Sequence, residues 1–352
     1  VNPVVIIMKL LITTQKVDKD DAVLGFFHHW LEKLAQRFDF VTVVCLEQGK
    51  YSLPSNVKVI SLGKEKGGVS RLKYAGRFLK IAIQEKKNYD AIFSHMNPEY
   101  ICIAGALWKL WGKKIAIWYN HKVGSLAAKK AFILADKIFY TSPYAFAAKY
   151  SRSQIMPVGI DIKQFNAQAS FSGANRILSL GRISPVKNVD VLVKACQILD
   201  EEGYEFSCHI YGHAPKRDEA YYKKIRLVAG SLEKKKKIFF YPSVSNEEAA
   251  KIYGQYDLFI NMTASGSFDK TIIEAMASKR LILVCNKSLG DWLPDKFLFE
   301  DGNAKDLANK VRDVFSLENK EEYQKTFADY AQAEHSLDSL IDKLVKFFHG
   351  QK

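Results

Sequence analysis

The sequence predicts an α/β protein of two domains, each built on a doubly wound parallel sheet. Three observations support this prediction. The chain has 352 residues, more than twice the length of an ordinary single domain. Short β-rich runs alternate with helical patterns, as in parallel βαβ units whose sheet is covered on both faces. The alternation also restarts after about residue 172, which indicates a second sheet.

The first series contains six predicted strands, with helical patterns near 24–36, 70–87, 99–111 and 124–134. The opening run VNPVVIIMKLLITT has no basic leader and no small-residue cleavage site, so we interpret it as a strand rather than a signal peptide. Residues 1–7 are expected to be an upstream extension, because Met8 would also serve as a start. The strands are VVIIMKLLIT (4–13), FVTVVCL (40–46), VKVISL (57–62), DAIFSH (90–95), KIAIWY (114–119) and DKIFYT (136–141).

The second series contains five predicted strands and begins after the linker GIDIKQFNAQASFSGAN. We expect domains at 1–165 and 166–335, with ligand in a cleft between them, because open α/β sheets bind ligands at the carboxyl ends of their strands. The amphipathic stretch LDSLIDKLVKFFHG predicts a last helix, within 336–352, that packs back toward the first domain. The strands are RILSLG (176–181), FSCHIYG (206–212), KIFFYP (237–242), DLFINMT (257–263) and RLILVC (280–285).

Composition indicates an ordinary globular protein with an anionic partner. The hydrophobic fraction is 48% and the charged fraction 26%, which argues against disorder, and no run is apolar enough for a membrane span. The five cysteines lack metal-type spacing, which favours free thiols in a reducing cytosol. The formal net charge of +14 suits nucleic acid, nucleotide or lipid headgroups, without choosing among them.

The stretch LSLGRISPVKNVDVLV (178–193) places two cations between a predicted strand and a predicted helix. The strand ends at Gly181, Arg182 and Lys187 follow it, and the helix begins near Asn188. Cations beside the free N–H groups of a helix start form a site for a polyanion. The alternative is a pair of solvated surface cations.

The stretch SGSFDKTIIEAMASK (265–279) carries one acid, Glu274, in an apolar helical pattern. Its first three residues would let a phosphate approach the backbone, and the helix beginning near Asp269 would point its N–H groups outward. Glu274 would then reach the hydroxyl groups of a ribose, as acids commonly do in α/β nucleotide sites. The alternative is a surface glutamate paired with Lys270.

Three segments in this order, GRISPVKN, VGIDIKQF and DLFINMTASGSFDKTIIEAMA, resemble the retaining glycosyltransferases of family 4, which have the two-lobed GT-B fold. The resemblance implies that Arg182 and Lys187 hold the diphosphate of a nucleoside diphosphate sugar and that Glu274 holds its ribose. It also implies a donor-binding role for a set of loop residues, which comprises Gly25, Gly181, Gly266, Ser267, Phe268, Asp269 and Lys270.

The sequence departs from the family at one position. The family has a Glu-x7-Glu motif whose first glutamate meets the transferred sugar, and Gly266 occupies that position here. Asp269 or Lys270, where the family more often has glycine and an apolar residue, could take over part of this contact. The departure alters the contact to the sugar rather than the class of enzyme.

Weaker signals come from strand ends in the first domain. His95, Asn97 and Glu99 follow one strand, and we predict that they lie on the acceptor side. His121 follows the next strand, and the resemblance implies that it approaches the donor sugar and phosphate as a catalytic residue. Structural histidines are the alternative at 95 and 121. Lys16, His28 and His29 lie near Gly25 in the sequence. His28 and His29 are adjacent and cannot share one helix face, so they are not expected to bind a metal together. The Asp-Lys-Asp string at 18–20 resembles a metal-binding motif, but we interpret it as a solvated loop and predict no metal site.

The implied reaction transfers a sugar from a UDP- or GDP-sugar to an acceptor hydroxyl, with retention and without a metal or other cofactor, in cell-envelope glycolipid or polysaccharide synthesis. Lys73, Arg77 and Lys80 share a helix face within 70–87, which suggests a cytoplasmic enzyme peripheral to an anionic membrane; packing of that helix on the sheet is the alternative.

A nucleotide-sugar epimerase or a phosphorylase on the same architecture stays open, although no lysine is marked as cofactor-bearing. A basic nucleic-acid-binding protein is a remote alternative, because no recognition module is evident.

Overall fold

A computed structural model of the protein describes residues 8–165 and 173–350, which form two compact units. The N-terminal unit runs to Gly159 and includes the chain again from Leu337 onward, and the C-terminal unit is Ile160–Ser336. The expected extension at residues 1–7, the start of the first predicted strand and the middle of the expected linker lie outside the described residues.

The N-terminal unit is built on a parallel sheet with the strand order β3-β2-β1-β4-β5-β6-β7. The order reverses between β1 and β4, so right-handed connections place helices on both faces. The central strands are buried and rich in aliphatic residues, as expected for a sheet that is covered twice. The strands are β1 (Lys9–Val17), β2 (Phe40–Gln48), β3 (Val57–Ser61), β4 (Ala91–His95), β5 (Lys114–Trp118), β6 (Lys137–Tyr140) and β7 (Ser153–Ile155).

The C-terminal unit is built on a second parallel sheet with the order β10-β9-β8-β11-β12. Here the reversal lies between β8 and β11. The strands are β8 (Arg176–Leu180), β9 (Ser207–Tyr211), β10 (Ile238–Tyr241), β11 (Leu258–Asn261) and β12 (Leu281–Val284).

Helices connect and cover the strands of both sheets. Those of the N-terminal unit are α1 (Phe26–Ala35), α2 (Arg71–Gln84), α3 (Glu99–Leu110) and α4 (Leu126–Leu134). Those of the C-terminal unit are α5 (Val189–Glu201), α6 (Glu219–Lys234), α7 (Asn246–Tyr253), α8 (Lys270–Ala277), α9 (Ala304–Phe315) and α10 (Lys320–His335), and the last helix is α11 (Leu337–His349).

The last helix belongs to the N-terminal unit. Together with α1 it packs on one face of the first sheet, and α2, α3 and α4 pack on the other face. Lys33 of α1 forms an ion pair with Asp338 of α11 at 2.7 Å, and Arg37, just after α1, forms one with Asp342 at 2.6 Å. Exposed pairs contribute about 0–1 kcal/mol each, so the buried apolar stripe of α11 contributes most of the attachment; it comprises Leu337, Leu340, Ile341, Leu344, Val345 and Phe348.

These two sheets confirm the predicted fold class of two doubly wound α/β domains. The largest differences from the prediction are in two strands, β1 and β7. The first continues to Val17, beyond its apolar run, because pairing with β2 extends to Val17 and Gln48. β7 was not predicted, because it has three residues and carries no apolar run; it exists through pairing with β6 at the sheet edge.

Candidate donor site of the C-terminal unit

A small pocket lies where the strand order of the second sheet reverses. Its walls come from the carboxyl ends of β8 and β11, which is where open α/β sheets bind ligands. We call it the β8–β11 pocket. Its lining residues are Ser179, Leu180, Gly181, Arg182, Lys187, Val189, Ile210, Ile260, Asn261, Met262 and Thr263.

Two glycines bring the strand ends of β8 and β9 into close contact. Gly181 has a φ of +150°, a conformation that residues with side chains rarely adopt. A Cβ atom at Gly212 would lie 1.9 Å from the carbonyl oxygen of Gly181. Gly181 was predicted from the sequence, whereas Gly212 was not; its signal is its place as the last residue of the predicted strand at 206–212.

The two predicted cations both line the pocket, but their surroundings differ. Arg182 is exposed and makes no hydrogen bond or ion pair with any residue in the described ranges. Lys187 ends a short helical turn that begins at Pro185, and its ammonium donates to Thr263 Oγ1 at 3.2 Å and to Asp269. Free solvation, the alternative reading of the sequence, therefore fits Arg182 in this state but not Lys187.

One carboxylate oxygen of Asp269 accepts hydrogen bonds from three polar side chains of the pocket wall. Its Oδ2 accepts hydrogen bonds from Lys187 Nζ, from Asn261 Nδ2 at 2.9 Å and from Thr263 Oγ1 at 3.0 Å. Burial alone would raise the pKa of Asp269, but the charge of Lys187 and these hydrogen bonds outweigh burial and lower it. The sequence did not single out Asn261 or Thr263, although both stand at the end of a predicted strand.

Hydrogen bonds join the loop that precedes α8 to the segment after β12. Asn286 Nδ2 donates to the carbonyl oxygen of Ser267 at 2.8 Å, and the backbone N–H of Lys287 donates to Ser265 Oγ at 2.9 Å. Gly266 has a φ of +144°, so the position that holds the family's first glutamate requires glycine in this loop. Phe268 is buried against the ring of His335, with centroids 5.3 Å apart.

Glu274 is a buried residue, 4% exposed, so the alternative of a surface glutamate is wrong. Its Oε2 accepts from the hydroxyl of Tyr253 at 3.0 Å, and its Oε1 accepts from Asn246 Nδ2 at 3.3 Å. Burial raises the pKa of Glu274 to about 7, although the charge of Lys270 and these hydrogen bonds act to lower it. Burial likewise lowers the pKa of Lys270. Neither Lys270 nor Glu274 lines the β8–β11 pocket.

In the N-terminal unit, the three predicted acceptor-side residues have different environments. His95 is buried at the end of β4, where its ring stacks on Phe27 with centroids 4.1 Å apart and its Nδ1 lies 3.2 Å from Thr14 Oγ1. Asn97 Nδ2 donates to a glutamine at position 15, and Glu99 is exposed at the start of α3. These surroundings suit a structural histidine at 95, and the acceptor-side role of all three stays a prediction.

His121 and Gly25 have clear local environments. His121 is exposed after β5, and its ring contacts that of Tyr119 with centroids 4.9 Å apart. A Cβ atom at Gly25 would lie 2.6 Å from the carbonyl oxygen of Asp21, so only glycine fits at the start of α1. The catalytic role of His121 and the donor-binding role of Gly25 stay predictions.

In the charged loop after β1, Lys19 and Asp20 are exposed, as the prediction of a solvated loop expects, whereas Asp18 is held by contacts. The ammonium of Lys16 lies 2.9 Å from Asp21, 3.2 Å from Asp18 and 3.3 Å from Glu47. Asp18 also accepts from the backbone N–H groups at positions 20 and 50, so the interpretation of this loop as free in solvent is wrong for Asp18. Within the described residues, no cluster of three or more His, Cys, Asp or Glu side chains could hold a metal ion.

The basic helix α2 packs on its sheet through Phe78 and Ala82. Its opposite face is exposed and carries Leu72, which is 84% exposed, beside Lys73 and Lys80. No helix within residues 8–165 and 173–350 combines the length and the apolar character that a bilayer crossing requires.

Comparison with known proteins gives one family match. Residues 161–334 match the family model of glycosyl transferases group 1. Poly(ribitol-phosphate) alpha-N-acetylglucosaminyltransferase of Staphylococcus aureus is 21% identical over 57% of this chain and 41% of its own length. The chain spans less than half the length of the curated relatives it matches.

Solved structures support the fold independently of sequence. HepE of Anabaena, in complex with UDP and glucose, superposes with a TM-score of 0.78 at 14% identity, over 97% of this chain and 99% of that one. Sucrose-phosphate synthase of Thermosynechococcus elongatus superposes with a TM-score of 0.77 at 15% identity, over 97% and 98%. At these identities the likeness shows the fold alone, and that fold is GT-B.

Proposed function

We propose that this chain, whose residues 161–334 match the family model of glycosyl transferases group 1, transfers a sugar from a nucleoside diphosphate sugar to an acceptor hydroxyl. The observation that carries the proposal is the β8–β11 pocket. It presents Arg182 and Lys187 at the point of a doubly wound sheet where nucleotides bind. The UDP held by HepE, a protein of the same fold, supports a nucleotide as the ligand.

The two cations would bind the diphosphate and stabilise its departure. Negative charge develops on the leaving diphosphate in the transition state, and fixed positive groups that face this charge lower the barrier. Asp269 makes no capping hydrogen bond to the first turn of α8, because its carboxylate is turned to Lys187. The N–H groups that begin α8 would therefore add to the stabilisation.

Glu274 would hold the ribose of the same nucleotide. It lies on α8, five residues after Asp269, and its carboxylate is fixed by two hydrogen bonds. We assign retention of the anomeric configuration and independence of a metal to this enzyme from its family resemblance. Attack on the face of the leaving diphosphate, which the same resemblance favours, is the proposed route. The same resemblance assigns His121 to the donor sugar.

The acceptor is proposed to be a cell-envelope polymer or glycolipid. The name of the Staphylococcus aureus relative gives poly(ribitol-phosphate) as that enzyme's acceptor, and this supports a polymer of the envelope here. Lys73 and Lys80, exposed on α2 beside Leu72, support attachment to an anionic membrane surface. The enzyme is accordingly proposed to work in the cytoplasm, at the inner face of the membrane.

Ligand-dependent stabilisation of the whole chain tests the proposal. The melting temperature would be measured with UDP-, GDP- and ADP-sugars, since a ligand at 100 times its dissociation constant adds about 2.7 kcal/mol to the free energy of unfolding. We expect one of the three bases to stabilise the protein clearly. A folded protein that responds to none of them contradicts the proposal.

Product analysis then separates transfer from the neighbouring reactions. A transferase consumes the nucleotide sugar only with an acceptor, whereas an epimerase converts it alone. NMR of the product gives the anomeric configuration, and turnover after treatment with EDTA reports on metal dependence. An inverted product or loss of turnover in EDTA would contradict the corresponding part of the proposal.

A further inference from the structure

We infer that Tyr253 and Asn246 are positioning residues, which hold the carboxylate of Glu274 as the acceptor for two neighbouring ribose hydroxyls; this rests on the proposed function. The hydroxyl of Tyr253 donates to Oε2 and the amide of Asn246 donates to Oε1, so each oxygen has one donor among the described side chains.

Both donors lie on α7, one at each end of the helix. Asn246 is the first residue of α7 and Tyr253 is the last. They are seven residues apart, which is about two helical turns, so they share one face of α7. Glu274 lies opposite that face on α8, between two donors that cannot move independently of each other.

This arrangement leaves acceptor capacity for a ligand. An ionised carboxylate accepts about four hydrogen bonds, two at each oxygen, and the side chains of residues 8–165 and 173–350 supply one at each. One further hydroxyl can therefore bind at each oxygen, which matches a pair of vicinal hydroxyls. Both protein donors also favour the ionised form, the form that accepts from both hydroxyls.

Packing alone does not require the hydroxyl of Tyr253. The tyrosine is fully buried, and its ring contacts Phe259 and Phe165 with centroids 5.6 Å and 5.9 Å apart. A phenylalanine would keep these ring contacts and lose only the hydrogen bond to Glu274 and a longer one to the carbonyl oxygen of Thr271. Tyr253→Phe therefore isolates the positioning role.

The test compares ligands with and without ribose hydroxyls. Binding of UDP, 2′,3′-dideoxy-UDP and inorganic pyrophosphate would be measured by calorimetry at pH 8, with GDP and dideoxy-GDP in place of the uridine compounds if the protein prefers guanine. We expect Tyr253→Phe and Asn246→Ala each to weaken UDP binding by about 3- to 10-fold. Dideoxy-UDP and pyrophosphate should bind within about twofold of wild type, because neither presents the two hydroxyls.

The matched control is Tyr256→Phe. Tyr256 is also buried in this unit, and its hydroxyl contacts that of Tyr211 rather than Glu274. UDP binding should not change in this variant. Three outcomes would overturn this inference but not the proposed function. They are an equal loss of UDP and pyrophosphate binding in Tyr253→Phe, a loss of UDP binding in Tyr256→Phe as large as in Tyr253→Phe, and unchanged UDP binding in both Tyr253→Phe and Asn246→Ala. A folded wild type that binds neither UDP nor GDP overturns the proposed function as well.

Discussion

The ammonium of Lys187 forms an ion pair with the carboxylate of Asp269, 82 residues further along the chain. The pair joins the loop after β8 to the residue that precedes α8, and both side chains are partly buried, at 20% and 17% exposure. Because Thr263 contacts both partners, the cation is held on two sides before any ligand arrives. A diphosphate in the β8–β11 pocket would share this cation with Asp269.

Removal of either pocket cation should slow the reaction. We expect Arg182→Ala and Lys187→Ala each to lower turnover by at least about tenfold, because a well-placed charge donor to the leaving group is worth about 3 kcal/mol. Lys251→Ala is the control, since Lys251 is an exposed lysine of α7 that pairs only with Glu247 among the described residues. Steady-state kinetics with the preferred nucleotide sugar give the comparison, and near-wild-type turnover in both variants would exclude the mechanism.

A second variant separates charge from folding at Lys187. Lys187→Ala leaves Asp269 without its cation, which also costs stability. In Lys187→Met combined with Asp269→Asn, no carboxylate is left unpaired, so the melting temperature should recover toward that of wild type. Turnover should stay low in the double variant. Recovery of turnover together with stability would mean that Lys187 acts only on the fold.

The Asp269 carboxylate should stabilise the C-terminal unit in a pH-dependent way. Its pKa is lowered in the folded state from an ordinary value of 3.8, so its contribution is present above that pH and is lost as the pH falls through the folded-state pKa. We expect Asp269→Asn to lower the free energy of unfolding most near pH 6 and progressively less below about pH 4. Urea unfolding from pH 6 to pH 3.5 measures this difference. The control is Asp329→Asn on α10, at an exposed ion pair with Lys325; a difference for Asp269→Asn that stays constant with pH would contradict the assignment.

Donor affinity should depend on the protonation of Glu274. Burial raises its pKa to about 7, so affinity for a nucleotide sugar, whose phosphodiester groups do not titrate here, should fall as the pH drops below about 7. The charge of Lys270 lowers this pKa, and Lys270→Met should therefore move the decline to higher pH. Calorimetric titrations between pH 5.5 and 8.5 test both statements. A decline at lower pH in the variant would contradict the assigned coupling.

Restoring the family's glutamate should not restore its sugar contact. Gly266 has a φ of +144°, and a side chain there costs of order 1–3 kcal/mol in backbone strain. We expect Gly266→Glu and Gly266→Ala to lower the free energy of unfolding by similar amounts, without a gain in turnover. Chemical denaturation compares the two variants. If Gly266→Ala proves as stable as wild type, the requirement for glycine is wrong.

The exposed face of α2 should bind anionic membranes. Leu72 is 84% exposed and Ile83 49% exposed, and Lys73 and Lys80 lie on the same exposed side. We expect co-sedimentation with phosphatidylglycerol vesicles at low salt and little with phosphatidylcholine vesicles. Leu72→Ser combined with Lys73→Gln and Lys80→Gln should abolish it. Arg77 is left in place because its guanidinium donates to the carbonyl oxygen of Leu62; absence of binding in the wild type would exclude the surface.

Local patterns in the sequence predicted most of the strands. The predicted runs at 40–46, 176–181 and 280–285 recur in the structure to within two residues at each end. This succeeds because a strand buried on both faces must be apolar along its whole length, which leaves a strong local signal. The same holds for Gly181 and Lys187, whose positions follow from the end of a strand and the start of a helix.

The contacts of the site were not visible in the sequence, because they join segments that only packing brings together. Asp269 or Lys270 could take over part of the sugar contact, and this stays a prediction; no local pattern indicates that Asp269 accepts from Lys187 and from the end of β11. Tyr253 and Asn246 lie 21 and 28 residues before Glu274, and no local pattern marks them as its partners.

The sequence by itself determined the two α/β domains, the order of their strands along the chain and the cationic loop after β8. The tertiary structure decided which charges are paired, which acid is buried and which glycines are required. The physical reason is that apolar periodicity is a property of neighbouring residues, whereas the pKa of Glu274 and the partner of Lys187 depend on the packing of α8 against α7 and β11. Burial of a charge has no local signature until the surrounding elements are in place.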